Sequence, residues 1–350
     1  MLRYLGYLLL VASIHFQAMA QIGGKNTYDF LDLSPSARLE ALGGVLTPLK
    51  DPDVNMVLNN PCILDSSILG HMGFNSVIYP GGINHGLVSI VKSNRRLGLI
   101  GMHIQYVNYG RFQRADASGE KMGNFYGAES AIALSWATKI DKIRLGLNFK
   151  LITSFLEQYS SLGIAGDLYA MYINPLEDFF LLGSIKNIGS QIKPYNIGNK
   201  EPLPFDLQIS IGQKLEHVPI TLIGTFHNLH QWDIRYNNPA DQTTSLLLSD
   251  TSSQEKSYLF DKAMRHFVFG MEFNLSNNLD FRLGYNYLRR HELLVESRRS
   301  TIGFSWGVSF KVKKFKFDYA RSKYHISGTT NNISMTLNIQ DFKQKGPLSD

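Results

Sequence analysis

The chain has 350 residues, 44% of them apolar and only 18% charged, with 30 glycines, 21 phenylalanines and 17 tyrosines. A charged fraction below the roughly 25% of soluble domains, with this much apolar content, excludes a disordered chain, and the glycine and aromatic richness belongs to strands and turns rather than helices. The net charge of +6, from 35 basic and 29 acidic residues, is spread along the chain and argues against a nucleic-acid partner.

Arg3 precedes an apolar run from Tyr4 to Ile14 and then Ala18-Met19-Ala20, which reads as an export signal over residues 1–20 cleaved before Gln21. Cys62 is the only cysteine, so no internal disulfide is available. No later stretch approaches the roughly 18 consecutive apolar residues of a membrane-crossing helix. Residues 21–66 form a separate segment. Within it, Ser34-Pro35-Ser36-Ala37-Arg38-Leu39-Glu40-Ala41-Leu42-Gly43-Gly44 carries a serine start, a first-turn proline and a glycine stop, predicting a helix of about two turns. So short a helix is unstable alone and must pack on something, here the interior or the mouth of whatever follows. Asp51-Pro52-Asp53 and Asn59-Asn60-Pro61 are turn formers leading into the first strand.

From there to residue 342 the pattern alternates at period two. Phe267, Phe269, Met271, Phe273 and Leu275 share one face; Ile333, Met335, Leu337 and Ile339 oppose Ser334, Thr336, Asn338 and Gln340. The alternation predicts strands at 68–79, 83–92, 96–109, 125–138, 142–156, 161–173, 178–187, 203–214, 218–228, 264–275, 279–289, 299–312, 315–323 and 331–341. Many reach the length of about ten residues that a tilted strand needs to cross a bilayer. Aromatics recur near their ends, as at Tyr285, Tyr287, Phe310 and Tyr319, where an interfacial girdle would sit. Connections alternate between short turns and long loops. The fold class is therefore all-β: an antiparallel transmembrane outer-membrane barrel of fourteen strands over 67–342, with greasy side chains on lipid and Gly, Ser, Asn and paired charges such as Arg144, Lys150, Asp206, Glu272, Asp280 and Arg282 inside. Residues 343–350 form a polar tail. A soluble secreted β-sandwich, with the apolar face inward, is the competing architecture.

The helix reading Ser36-Ala37-Arg38, then Leu42-Gly43-Gly44, followed by Asn60-Pro61, resembles the FadL-like outer-membrane barrels of Bacteroidetes. Gly23-Gly24, Thr27-Tyr28-Asp29-Phe30-Leu31 and Leu33 draw it toward the PorV/PorQ family of the type IX secretion system, whose members have fourteen strands. The likeness is strongest over residues 23–62; Cys62 stands where many members have alanine. It implies a non-enzymatic outer-membrane component of an attachment complex. Its implied partners are a PorZ-like surface protein, which it tethers, a sortase-like protease and the PorV barrel, while cargo is processed and anchored to lipopolysaccharide. Family-motif residues on this reading are Ser36, Ala37, Arg38, Leu42, Gly43, Gly44, Asn60 and Pro61.

A long polar loop from Gln231 to Lys262 offers a partner surface on a rigid scaffold, with Gln231, Trp232, Arg235 and Tyr236 as candidates; a solvated rim is the plain alternative. Arg289-Arg290 and Arg298-Arg299 form a second basic stretch, read either as a contact for lipopolysaccharide phosphates or as a loop tip paired with Glu292 and Glu296. Uptake of a hydrophobic small molecule is the competing function, disfavoured by a polar lining. No nucleophile or phosphate-loop motif is present, and His227 and His230 lack a second ligand pair, so they read as solvated strand-end histidines. No catalytic residue, metal or cofactor is expected.

Overall fold

The computed structural model describes residues 26–174, 178–196, 198–234, 259–293, 301–325 and 328–343. The export signal read at 1–20 and most of the C-terminal tail lie outside them. Fourteen strands follow one another: β1 (His71–Ile78), β2 (Asn84–Asn94), β3 (Gly98–Ala115), β4 (Lys121–Ile140), β5 (Ile143–Leu156), β6 (Tyr159–Asn174), β7 (Phe179–Lys193), β8 (Asp206–Lys214), β9 (Ile220–Phe226), β10 (Phe267–Ser276), β11 (Leu279–Asn286), β12 (Phe304–Val312), β13 (Phe315–His325) and β14 (Gly328–Asn338). Each pairs antiparallel with its neighbours, and β14 returns to β1 with Ser334 opposite Asn75, so the sheet has no edge.

The side-chain faces identify the solvent. Asn332 and Ser334 of β14 are each 1% exposed, whereas Ile333 between them is 48% exposed. Across the pair, Asp318 and Ala320 of β13 point inward beside them, while Phe317 and Tyr319 point out. Exposed aliphatic and aromatic side chains recur around the wall, at Ile104, Ile132, Phe149, Leu168, Ile209, Leu283 and Phe304. Burying the polar face and presenting the apolar one is stable only in lipid, so the chain is a membrane-spanning barrel of the outer-membrane class. The same closure removes the β-sandwich alternative. Among the described residues no helix is long and apolar enough to cross a membrane; the strands cross.

Several strand ends differ from the sequence reading. The eleventh strand stops at Asn286 rather than 289, because the Asn286 side chain accepts the Arg289 amide at 2.9 Å and caps a helix over Tyr287–Leu293. Tyr287 consequently leaves the girdle and donates to Asp261. The loop read at 110–124 is mostly strand. Asp116 Oδ1 accepts the amides of Ser118 and Glu120, each at 2.9 Å, closing a tight turn, and the Phe112 and Phe125 rings stack below it at 5.2 Å. The first strand begins at His71, since Asp65 accepts the Ser67 amide and holds Ser66–Ile68 in a 3₁₀ turn.

β2–β3, β4–β5, β6–β7, β8–β9, β10–β11 and β12–β13 are joined by short turns at one end of the barrel, and the longer connections gather at the other. In bacterial barrels the short-turn end is periplasmic.

Candidate functional site: the luminal segment and the outer rim

Residues 26–68 fill the lumen from end to end. The Thr27 amide donates to Pro202 O at 2.9 Å, and Tyr28 Oη meets Ser161 Oγ at 2.5 Å, which places this stretch at the long-loop end. The chain then descends. Lys50 Nζ reaches Asp178 at 2.6 Å at the short-turn end, Asn55 Nδ2 donates to Thr336 at 2.7 Å, and Asn148 Nδ2 holds Leu58 O at 2.7 Å. It enters β1 from the short-turn side.

The helix α1 (Ala37–Ala41) lies against β11–β14. It is one turn rather than two, since Gly43 (φ 103°) and Gly44 (φ 83°) reverse the backbone in the left-handed region. Its seat is a set of wall glycines. An added Cβ at Gly284 would lie 2.4 Å from the Gly43 nitrogen and 2.6 Å from Ala41 O, and one at Gly307 would lie 2.6 Å from Ala41 Cβ. Only a bare backbone permits that approach. The wall also does the capping: the Ser36 hydroxyl caps nothing, and Ser334 Oγ instead accepts the Ala37 amide at 2.9 Å while Ser305 Oγ donates to Ala41 O at 3.1 Å.

Arg38 projects from α1 into a buried charge lattice. Its Nε and Nη2 donate to the two carboxylate oxygens of Glu272, at 3.1 and 2.8 Å, and its Nη1 lies 2.6 Å from Asp51 and 3.5 Å from Asp53. Arg282 Nε reaches the same Glu272 at 2.5 Å, and its other nitrogens reach Asp318 and Asp280 at 3.0 and 3.1 Å. Lys316 Nζ donates to Asp53 at 2.9 Å. Arg38 and Arg282 side chains are 2% and 1% exposed, so each charge depends on its partners. Burial disfavours the Arg38 cation, but Asp51, Glu272 and Asp53 hold its pKa well above the ordinary arginine value. Burial likewise disfavours the Asp53 anion, and Lys316 and Arg38 overcome it, keeping Asp53 well below the usual carboxylate range. Near the outer end, Arg289 Nη1 donates to Glu40 at 2.6 Å, and its Nη2 donates to Tyr324 Oη at 2.8 Å.

The other family-motif residues lie in the same segment. Leu42 packs with Leu49 and Ile223, Asn286 Nδ2 donates to Gly43 O at 3.3 Å, and Asn60 Oδ1 accepts the Cys62 amide at 3.2 Å, starting the 3₁₀ turn Pro61–Ile63. At the outer end the anchors are different in kind. Tyr28, Phe30 and Leu31 pack against Val107, Ile152 and Leu203, and Asn187 Nδ2 donates to Asp32 at 3.1 Å. Asp29 and Asp32 keep water contact yet are ringed by protein. That enclosure pushes both carboxyls up to about 6, helped at Asp29 by the neighbouring Asp32 and opposed at Asp32 by Lys186.

On the rim, Gln231 and Trp232 are described, while Arg235, Tyr236, Arg298 and Arg299 lie outside the described residues. Trp232 is 59% exposed and stacks on His266, whose ring nitrogens meet His227 O at 2.7 Å and Trp232 O at 3.1 Å. Two sequence readings need correction here. His227 is 5% exposed rather than solvated, and burial pushes its imidazole down to about 4. Arg289 belongs to the luminal network with Glu40 rather than to an outward basic loop, because the capped helix turns it inward. The motif residues and the rim residues therefore form two separate places, one inside the lumen and one at its outer edge. Sequence reading marked Glu272, Asp280 and Arg282 as inward charges but missed Asp53, Asp318 and Lys316 as their partners. Inward parity on strand thirteen was the available signal for Asp318 and Lys316, whereas Asp53 lies in the luminal segment, where no alternation marks a face. Among the described residues no group of His, Cys, Asp or Glu is arranged to hold a metal.

No family model matches the chain, and no curated protein matches it. Solved structures similar to it include the Ralstonia pickettii toluene transporter TbuX, at 11% identity and a TM-score of 0.45 over 89% of this chain and 98% of that one. A Pseudomonas aeruginosa FadL homologue is 9% identical, with a TM-score of 0.43 over 87% of this chain and 98% of that one. The Acinetobacter baumannii outer membrane protein Omp33 is 6% identical, with a TM-score of 0.39 over 77% and 97%. The assignment as a barrel rests on this chain's own strand pairing and inverted faces.

Proposed function

We propose that this barrel is a plugged outer-membrane scaffold that holds a surface protein at its outer rim, acting as a PorQ-like component of a type IX attachment complex. The observation that carries this reading is the lumen: a segment running from Thr27 at the long-loop end to Ile68 at the other occupies it and is bound to the wall by buried ion pairs. Such a lumen serves a tether better than a conduit. The resemblance of residues 23–62 to the PorV/PorQ family supplies the partners, a PorZ-like surface protein with a sortase-like protease and a PorV barrel alongside. On this reading the barrel acts as a holder. Affinity capture from detergent-solubilised outer membrane tests it. The full chain is expected to retain a surface protein that a variant lacking residues 231–262 loses; equal capture by both would sink the tether.

A second reading, binding of a hydrophobic small molecule in the manner of FadL-like barrels, is favoured by one observation. The lipid-facing wall of β4–β8 carries an apolar hollow of about 620 Å³ between Trp136, Leu145, Leu168 and Ile209, floored by Gly183. A lipid-like ligand co-purifying in place of a surface protein would select it.

A further inference from the structure

At the short-turn lip, where β12 and β13 meet β14 and β1, four lysines surround a cavity of about 300 Å³. Lys311 stands directly opposite Lys316 in the strand register, an arrangement that costs stability unless something neutralises it. Lys316 has its own counter-ion in Asp53, which Arg38 shares. Lys314 donates to the Asp341 backbone carbonyl and lies 4.8 Å over the Phe342 ring. Lys311 and Lys313 are exposed and have no carboxylate partner among the described residues. His71, on the inward face of β1, also lines the cavity, and its Nδ1 is buried with no hydrogen-bond partner. The one further carboxylate at the cavity, that of Asp341, leaves the lysines in excess.

The cavity is bounded on its membrane side by Phe315 and Leu337, which belong to the outward face. Phe315 packs at a tilt against Phe342 at 5.9 Å and stacks beside Phe317 at 6.1 Å, continuing to Phe310 at 5.3 Å from Phe317. Lys311 shares the inward parity of Ser309 on β12 and Lys313 sits in the following turn, while Phe315 is on the outward face. Cations and aromatics therefore meet across the barrel lip, the two halves of an amphiphile's environment at a bilayer surface.

We propose that this lip is a binding site for the headgroup phosphate of an anionic phospholipid in the inner leaflet. Lys311 and Lys313 take the phosphate oxygens, His71 supplies a ring nitrogen, and the glycerol end of the acyl chains lies along Phe315 and Phe342. The lipid neutralises Lys311 and Lys313, whose charges no carboxylate among the described residues balances. No part of this rests on the tether.

The test is native mass spectrometry of delipidated full-length protein in neutral detergent, titrated with phosphatidylglycerol. Wild type is expected to bind it in preference to phosphatidylcholine and to keep it in millimolar inorganic phosphate. The Lys311→Ala/Lys313→Ala variant is expected to bind about thirtyfold more weakly, the effect of two interfacial lysines. Lys313→Glu alone should move in the same direction, and boiling-dependent gel migration checks that each variant is folded. Unchanged binding in folded variants overturns the site, and full displacement of the lipid by inorganic phosphate overturns its assignment to lipid.

Discussion

Two stretches of the luminal segment are held by different physics. Around α1 the anchors are permanent charges, with Arg38 and Arg282 converging on one buried Glu272 and Lys316 on Asp53. Around Tyr28 they are hydroxyls, apolar contacts and two carboxyls that titrate near pH 6. Buried charge is costly to leave half-paired, whereas neutral contacts are lost gradually. The stretch around α1, with its buried ion pairs, is therefore a lock, and the stretch around Tyr28 is a clasp that loosens first.

Removing the shared carboxylate is the strongest way to break that contrast. Glu272→Ala leaves two guanidiniums buried without their common partner, and a loss of about 3–5 kcal/mol is expected. The guanidinium midpoint of the boiling-dependent gel shift reads it, and planar-bilayer conductance should rise as the segment loosens. A midpoint like the wild type's would show that the lattice does not hold α1. Next comes the glycine seat: Gly284→Ala drives a methyl group into the Gly43 and Ala41 backbone and should cost about 1–3 kcal/mol by the same measurement. At the outer end, Tyr28→Phe removes the bond to Ser161 and is expected to cost only about 0.5–1.5 kcal/mol. An effect as large as that of Glu272→Ala would erase the distinction between lock and clasp.

The smallest effect is the sharpest in sign. Asp29 and Asp32 have folded-state values raised to about 6, so their contribution is complete below the ordinary carboxylate value of about 4 and is lost as pH rises through about 6. Asp53 is depressed, so its contribution is present above about 4 and is lost on acidification. Hydrogen exchange, corrected for its intrinsic pH dependence, should show residues 26–32 opening slightly more at pH 7 than at pH 4. Water at the two exposed carboxylates keeps the change small. Residues 36–53 should respond in the opposite direction. Parallel responses of both stretches would contradict the assigned titrations.

Sequence alone reveals the wall, because strand side chains alternate faces and the inversion of oil and water repeats in segment after segment. It also places Arg38 in a short helix that needs a surface to pack on. It does not reveal the partner of Arg38: Glu272 lies 234 positions away, and the register that brings β10, β11 and β13 side by side is set by closure of the whole barrel. Gly284 and Gly307 were visible as small inward residues, but their purpose depends on a backbone arriving from elsewhere in the chain. The misplaced strand ends have local causes: the Asn286 side chain ends a strand that alternation alone would continue, while the tight turn at Asp116 lets β3 and β4 pair well past the polar stretch at which alternation fades.

The Thr27 contact with Pro202 bears on how the barrel can close. The segment starts at one mouth, runs the length of the cylinder and joins the first strand at the opposite mouth. Threading it through a finished cylinder would mean dragging Arg38 and Asp53 past a complete ring of strands. A cylinder that closes around the segment avoids that passage, and the seam where His71 to Ile78 pair with Asn338 to Asn331 joins the strand that the segment leads into to the last strand of the barrel.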